Sequence, residues 1–201
     1  MAEANFNRLT EKYKDWEIDR QRLVRRPLPQ AFHAAQWLVG KKRPPHHDRL
    51  FHLFTEFRLR HPETGEKAML MLERNQTLNA EEHARGHEGK KHVGGLAKGH
   101  EAVEVQMVDP HYKGTLGDYL ENWREQHEHQ GKDWRRYDVR TNNCQQFLRS
   151  GLIGNNMHRP SYEAFTNQRV DELVPKWAGF FANRLTDSAK GADMAVGTIT
   201  S

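Results

Sequence analysis

Apolar residues near the start of the chain recur at steps of three and four, which is the spacing of one face of a helix. The residues concerned are Phe6, Leu9, Tyr13 and Trp16. Because Asn5 can cap the first turn, the pattern predicts an amphipathic helix over residues 5–24. The prolines of RRPLPQ (25–30) should end it, because proline removes a backbone donor and disfavours helix just before itself. Residues 31–40 fit either a helix or a short strand, and KKRPPHHD (41–48) reads as a stiff, charged connector.

A β-hairpin is the most distinct prediction of the middle of the chain. LFHLFTEFRL (50–59) is rich in aromatic and apolar residues, HPETGE supplies turn residues, and AMLMLERN (68–75) can return as the partner strand. A turn centred near Glu63–Thr64 would place His52 opposite Asn75, with Glu73 as a diagonal neighbour on the same face.

Residues 79–101 are polar and rich in glycine and histidine, and they show no hydrophobic period. We therefore expect a long mobile loop here. Three of its histidines (His83, His87 and His92) have a spacing that could suit a metal, but the intervening glycines oppose the helix that would align them. Solvent-exposed histidines in a polar loop are the preferred interpretation, with a lid or a partner contact as the alternative, and no metal or other cofactor is expected.

The second half of the chain contains a strand, helices and one further predicted strand. AVEVQMV (102–108) alternates as a strand does, and residues 114–131 predict a helix with Thr115 and Asp118 in a capping-box arrangement. WRRYDVRT (134–141) is a plausible short strand, followed by a helix that begins near Cys144 and then a loop through Pro160. An apolar stripe predicts a last helix over residues 169–185, and small residues without a pattern predict a disordered tail over 186–201.

These elements predict an α+β fold with a small antiparallel sheet. The 201 residues fit one domain. We expect an N-terminal helix and basic linker in residues 1–44, a catalytic domain with its C-terminal helix in 45–185, and the tail in 186–201.

Composition excludes several classes of protein. The chain has no long apolar run that could span a membrane, and its start lacks the apolar core of a secretory signal. Positive and negative charges are interleaved, with 31 Lys+Arg against 27 Asp+Glu, so no specific nucleic-acid partner is expected. A single cysteine cannot form an intramolecular disulfide. These features favour the cytoplasm or the nucleus, although secretion without a cleaved signal stays compatible with them, as does peripheral contact with a membrane.

The single cysteine, Cys144, lies in TNNCQQFLRSGL (141–152), between polar residues and an apolar helical pattern. A thiolate is the reactive form of cysteine, and the unpaired N–H groups of a helix start favour it. Thr141, Asn142 or Asn143 can cap this helix, and the asparagines could also donate to an oxyanion. The competing interpretation is a small buried cysteine with no chemistry.

The order of the motifs resembles the permuted papain-like cysteine hydrolases, a group that includes lecithin retinol acyltransferase and the PPPDE peptidases. In this group a strand with a histidine precedes a helix that opens with Asn-Cys, and here HLFTEF precedes NNCQQF, although the family's strand commonly reads HWGI or HWAL. The resemblance covers roughly residues 45–152. It implies a permuted papain-like fold, in which the sheet packs on the helix that bears the cysteine, with extra helices at both ends.

The resemblance implies roles for particular residues. Cys144 matches the nucleophile, His52 the general base, and Asn75 the group that orients the imidazole, with Glu73 as its substitute. Candidates for capping or for the oxyanion hole are Asn142, Asn143 and Gln145. His46 and His47 are rival bases in the connector before the strand.

The expected function is thiol-based hydrolysis or acyl transfer. Its substrate would be a peptide, an isopeptide or a lipid ester, so the partners expected are a peptide, a ubiquitin-like tail or a lipid. The alternative is a papain-like binding module for a protein partner that has lost turnover.

Overall fold

The computed structural model describes residues 2–27, 51–83, 104–108, 112–138 and 141–167. Several sequence predictions lie outside the described residues: the segments 31–40 and 41–48 with His46 and His47, most of the histidine-rich segment, the helix over 169–185 and the tail over 186–201.

The described residues form an α+β fold with one antiparallel sheet of five strands and four helices, as predicted for the fold class. In chain order the elements are α1 (Ala2–Lys12), β1 (Glu17–Pro27), β2 (Phe51–Arg60), β3 (Lys67–Arg74), β4 (Leu78–His83), β5 (Glu104–Val108), α2 (Leu116–His129), α3 (Cys144–Gly154) and α4 (Pro160–Thr166). The strand order across the sheet is β4-β3-β2-β1-β5.

The predicted hairpin is confirmed, and so is its register. Strands β2 and β3 pair with Phe54 opposite Glu73 and Thr55 opposite Leu72, as a turn centred at Glu63–Thr64 requires. Gly65 lies in that turn with φ of +68°, a conformation that costs little without a side chain. The register places His52 and Glu73 diagonally on one face of the sheet.

The prediction of one long helix over residues 5–24 is wrong beyond its first half. Helix α1 ends at Lys12, and Glu17–Pro27 forms β1 between β2 and β5. From residue 21 onward the side chains follow the two-residue alternation of a strand, which buries Gln21 and Leu23 on the face towards α2.

Three other predictions in this part of the chain are also corrected. The start of the histidine-rich segment is not a loop, because Leu78–His83 pairs with β3 and its buried Leu78 and Ala80 lie under α1. Residues 134–138 form a loop rather than a strand, because their carbonyl groups bond to side chains. The stretch after α3 contains a short helix that starts at Pro160, a residue suited to the first helical position.

The main core lies on the face of the sheet that α2 and α3 cover. It contains aromatic and aliphatic side chains from α1, the sheet, α2 and α3, among them Leu9, Leu23, Leu53, Phe57, Leu70, Leu72, Tyr119, Trp123, Phe147 and Leu148. Helix α3 contacts β2, β3 and α2. A second, smaller buried cluster contains Val24, Phe54 and Met71.

Helices α2 and α3 approach closely where Trp123 packs against Phe147 in the first turn of α3, with its ring tilted by 35°. Its indole Nε1 donates to the Phe147 carbonyl over 2.6 Å, and the two rings lie 4.3 Å apart. A Cβ atom on Gly151 would lie 2.6 Å from the indole, so a glycine is needed at this crossing. In the part of the chain that the structure describes, no helix has the length and apolarity needed to cross a membrane.

Candidate active site

Helix α3 begins at Cys144, and Asn143 is its N-cap residue. The Asn143 side-chain oxygen accepts from the N–H groups of Gln145 and Gln146, over 3.0 and 3.2 Å. The Gln146 side-chain oxygen accepts from the Asn143 N–H over 2.9 Å, which completes a capping box. Cys144 is thereby held at the positive end of the helix dipole, with its side chain buried.

His52 and Glu73 lie beside this cysteine. His52 Nε2 is 3.0 Å from Glu73 Oε2, and the imidazole also forms a hydrogen bond with Cys144. Because Nε2 faces the carboxylate, Nδ1 is the ring nitrogen left for the sulfur. The three side chains are at most 8% exposed, so their mutual attraction is weakly screened by water.

The partner of the imidazole is therefore Glu73, whereas the sequence placed Asn75 in that role. Strand β3 ends at Arg74, so Asn75 lies in the turn that leads to β4 and does not continue the ladder opposite His52. Asn75 instead donates to Glu73 Oε1 over 3.1 Å, and Asn79 donates to the same oxygen over 3.0 Å. The two amides hold the carboxylate while its other oxygen faces His52.

The pKa of His52 reflects opposing effects. Burial lowers the pKa, but hydrogen bonds and charge interactions with Cys144 and Glu73 outweigh it and raise the pKa from the ordinary 6.5 to about 9. An imidazole with this pKa carries a proton at neutral pH. The arrangement therefore favours an imidazolium that lies beside both the Cys144 sulfur and the Glu73 carboxylate.

Asn142, a predicted oxyanion donor, has a structural role instead. Its side-chain N–H2 donates to the carbonyls of Asp133 and Arg136, over 2.8 and 2.5 Å. These bonds direct the amide N–H groups at the loop carbonyls and not at an oxyanion beside the thiol. Asn143 is the cap residue itself, and Gln145 bonds to it through its backbone N–H.

Arg74 binds the same loop from the sheet side. Its guanidinium donates to the carbonyls of Asp133, Trp134 and Arg136 and lies over the Phe147 ring of α3. The side chain is 1% exposed, and burial lowers its pKa to about 10. Arg74 and Asn142 thus fix residues 133–136 between β3 and α3, and we call this set of contacts the Arg74–Asn142 clamp.

No protein-family model matches the chain, and comparisons with curated proteins and with solved structures gave no match either. The chemistry of the site is therefore argued from its own residues.

Two titratable residues that pack around α3 and the loop before it were missed from the sequence. Tyr137 is half-buried on the loop held by the clamp, and its pKa is raised first by burial and next by Cys144. His127 of α2 is fully buried below the loop, with Nδ1 2.8 Å from Ser150 Oγ. Neither lies in a recognisable motif: the folded loop positions Tyr137, and the packing of α2 on α3 brings His127 to the cysteine helix.

Metal binding finds no support in the described ranges, where no group of three or more His, Cys, Asp and Glu side chains could hold an ion. His87 and His92 of the histidine-rich segment lie outside those ranges. The chemistry that the described side chains can perform is nucleophilic attack by a thiolate, with proton transfer through an adjacent imidazole.

Proposed function

We propose that the protein is a thiol hydrolase or acyltransferase in which Cys144 is the nucleophile. The observation that carries the proposal is the hydrogen-bonded row of Cys144, His52 and Glu73 at the capped start of α3. A buried structural cysteine needs neither an imidazole nor a carboxylate beyond that imidazole. A nucleophilic cysteine uses both, because the imidazolium stabilises the thiolate and the carboxylate orients and stabilises the imidazolium.

In the proposed reaction the Cys144 sulfur attacks a carbonyl carbon, and the carbonyl electrons move to the oxygen to give a tetrahedral oxyanion. Collapse of this intermediate re-forms the carbonyl, breaks the bond to the leaving group and leaves a thioester on Cys144. His52 gives its proton to the departing amine or alcohol. It then takes a proton from water or an acceptor amine or alcohol, which attacks the thioester and frees the thiol.

The order of the site residues supports a permuted papain-like architecture as part of the proposal. The histidine strand β2 precedes the cysteine helix α3, and α3 contacts both β2 and β3. The carbonyl substrate belongs to a peptide, an isopeptide or a lipid ester. All three give a thioester on Cys144 and differ only in the acyl group it carries, so identification of the substrate class requires the experiment below.

The experiment exposes the wild type and the Cys144→Ala and His52→Ala variants to three acyl probes: peptide esters, phospholipids and activated ubiquitin-like tails. Intact mass spectrometry then measures any covalent adduct. We expect one adduct on the wild type, none on Cys144→Ala and a much slower adduct on His52→Ala. The reactive probe would give the substrate class. A wild type that reacts with none of the probes would overturn the proposal and favour a non-catalytic binding module.

A further inference from the structure

The loop before α3 returns to the helix start through an isolated β-bridge. Asp138 N–H donates to the Asn142 carbonyl over 3.0 Å, and Asn142 N–H donates to the Asp138 carbonyl over 2.9 Å. In an antiparallel bridge the flanking residues also face each other. The bridged pair is thereby flanked by Tyr137 on one side and, on the other, by Asn143, the residue that directly precedes Cys144.

The position of Tyr137 is held from both sides. The carbonyl of Arg136, the residue before it, accepts from Arg74 of β3 and from Asn142. Thr141 further tightens the return, because its N–H and its hydroxyl both lie 2.8 Å from Asp138 Oδ1. A side chain on so constrained a loop is pre-organised, which is the property that transition-state stabilisation requires.

The helix start alone offers few donors to an oxyanion. The N–H groups of Gln145 and Gln146 are bonded to the Asn143 cap, and the Asn142 amide is bonded to loop carbonyls. The Cys144 N–H remains as the backbone donor of the first turn. Oxyanion sites in acyl transfer commonly combine a backbone N–H with a side-chain donor.

We propose that the Tyr137 hydroxyl is this side-chain donor. The inference rests on the proposed function, because it assigns Tyr137 to the oxyanion formed when Cys144 attacks a carbonyl. During attack the carbonyl oxygen gains the electron pair and accepts a hydrogen bond from the hydroxyl of Tyr137. On collapse the pair returns to the carbonyl and the hydroxyl keeps its proton. Burial and the adjacent Cys144 raise the pKa of this phenol, so the hydroxyl stays neutral and able to donate.

Two small probes separate oxyanion stabilisation from other effects at the cysteine. Acylation by p-nitrophenyl acetate passes through a tetrahedral oxyanion and releases p-nitrophenolate. Alkylation by iodoacetamide displaces iodide at a saturated carbon and forms no oxyanion. Both rates are measured at Cys144 in the wild type and in Tyr137→Phe. Tyr112→Phe is the matched control, since Tyr112 is a half-buried tyrosine that packs against Tyr119.

We expect Tyr137→Phe to slow acylation by about a hundredfold, the usual effect of losing one oxyanion donor, and to leave alkylation within about twofold. Tyr112→Phe should change neither rate by more than about twofold. Acylation that falls less than about threefold, or that falls in the same proportion as alkylation, would overturn the role of Tyr137. A wild-type Cys144 that neither probe modifies would instead overturn the proposed function itself.

Discussion

Glu73 Oε2 lies 3.0 Å from His52 Nε2, and the other oxygen of the same carboxylate accepts from Asn75 and Asn79. The imidazole is therefore oriented by a charged group, whereas the sequence suggested a neutral amide. A carboxylate both fixes the ring and stabilises its protonated form. This contact, together with that to Cys144, raises the pKa of His52 to about 9 despite burial of the ring.

Substitution Glu73→Gln should lower the pKa of His52. The amide keeps a hydrogen bond but removes the negative charge, so the buried imidazolium loses part of its stabilisation. Titration of the His52 ring by NMR should show an inflection near pH 9 in the wild type and a clearly lower one in the variant. Glu81→Gln, at an exposed position on the neighbouring strand, serves as the control and should leave the inflection in place. An unchanged inflection in Glu73→Gln would mean that the carboxylate does not stabilise the imidazolium.

Substitution Asn143→Ala should destabilise the protein and also slow the alkylation of Cys144. The cap satisfies two N–H groups of α3, and the loss of such a cap costs about 1 kcal/mol. Thr115→Ala removes the equivalent cap from α2 and should lower the free energy of unfolding by a similar amount without slowing alkylation. Asn143→Ser, which can still cap, should restore both properties. Equal alkylation rates in the two alanine variants would contradict a role for the α3 cap at the cysteine.

Local patterns were sufficient to predict the hairpin, its register and the capped starts of α2 and α3. Each depends on residues close in sequence: turn residues at Pro62 and Gly65, alternation through β2, and the cap residues Thr115 and Asn143. The register in turn placed Glu73 diagonal to His52. The nucleophile candidate and its imidazole partner could thus be placed from the sequence, together with the carboxylate kept as an alternative.

Other features depend on contacts between distant parts of the chain. The sequence of β4 does not predict a strand, because its two buried residues, Leu78 and Ala80, are too few to show a hydrophobic period, and only the contact with α1 accounts for their burial. Glu73 rather than Asn75 bonds to His52 because β3 ends at Arg74, and hydrophobic periodicity locates the end of a strand poorly. The positions of Arg74 and Tyr137 depend on contacts between β3 and the loop before α3, which lie about sixty residues apart in the sequence. The 2.7 Å bond from Arg74 to the Trp134 carbonyl is one of them.

Substitution Arg74→Lys should destabilise the protein by about 2 kcal/mol, because one ammonium group cannot replace a guanidinium that bonds three carbonyls. The Trp134 carbonyl would lose this partner in a partly buried site. Arg60→Lys, on the exposed end of β2, is the matched change and should alter stability by less than about 0.5 kcal/mol. Urea unfolding measures both variants. Equal midpoints would show that the Arg74–Asn142 clamp contributes little to the fold.

The buried His127 should make the protein less stable as the pH falls from about 6.5 towards 4. Burial first and the nearby positive charge of Arg74 next lower its pKa to about 4, and a hydrogen bond from the Asn142 side chain opposes them in part. In the unfolded chain the same imidazole binds a proton near pH 6.5, so between the two values the unfolded state holds more protons and gains stability on acidification. Above about pH 6.5 both states are neutral at this residue, and its effect on stability disappears.

Removal of the His127 imidazole should remove this pH dependence. Urea unfolding at several pH values should show a shallower loss of stability in His127→Gln than in the wild type, even if the variant starts from a lower value. The matched control is His129→Gln, since His129 is exposed two residues further along α2. Its profile should follow that of the wild type. If His127→Gln instead kept the full slope between about pH 6.5 and 4, groups other than this histidine would be responsible for the acid sensitivity.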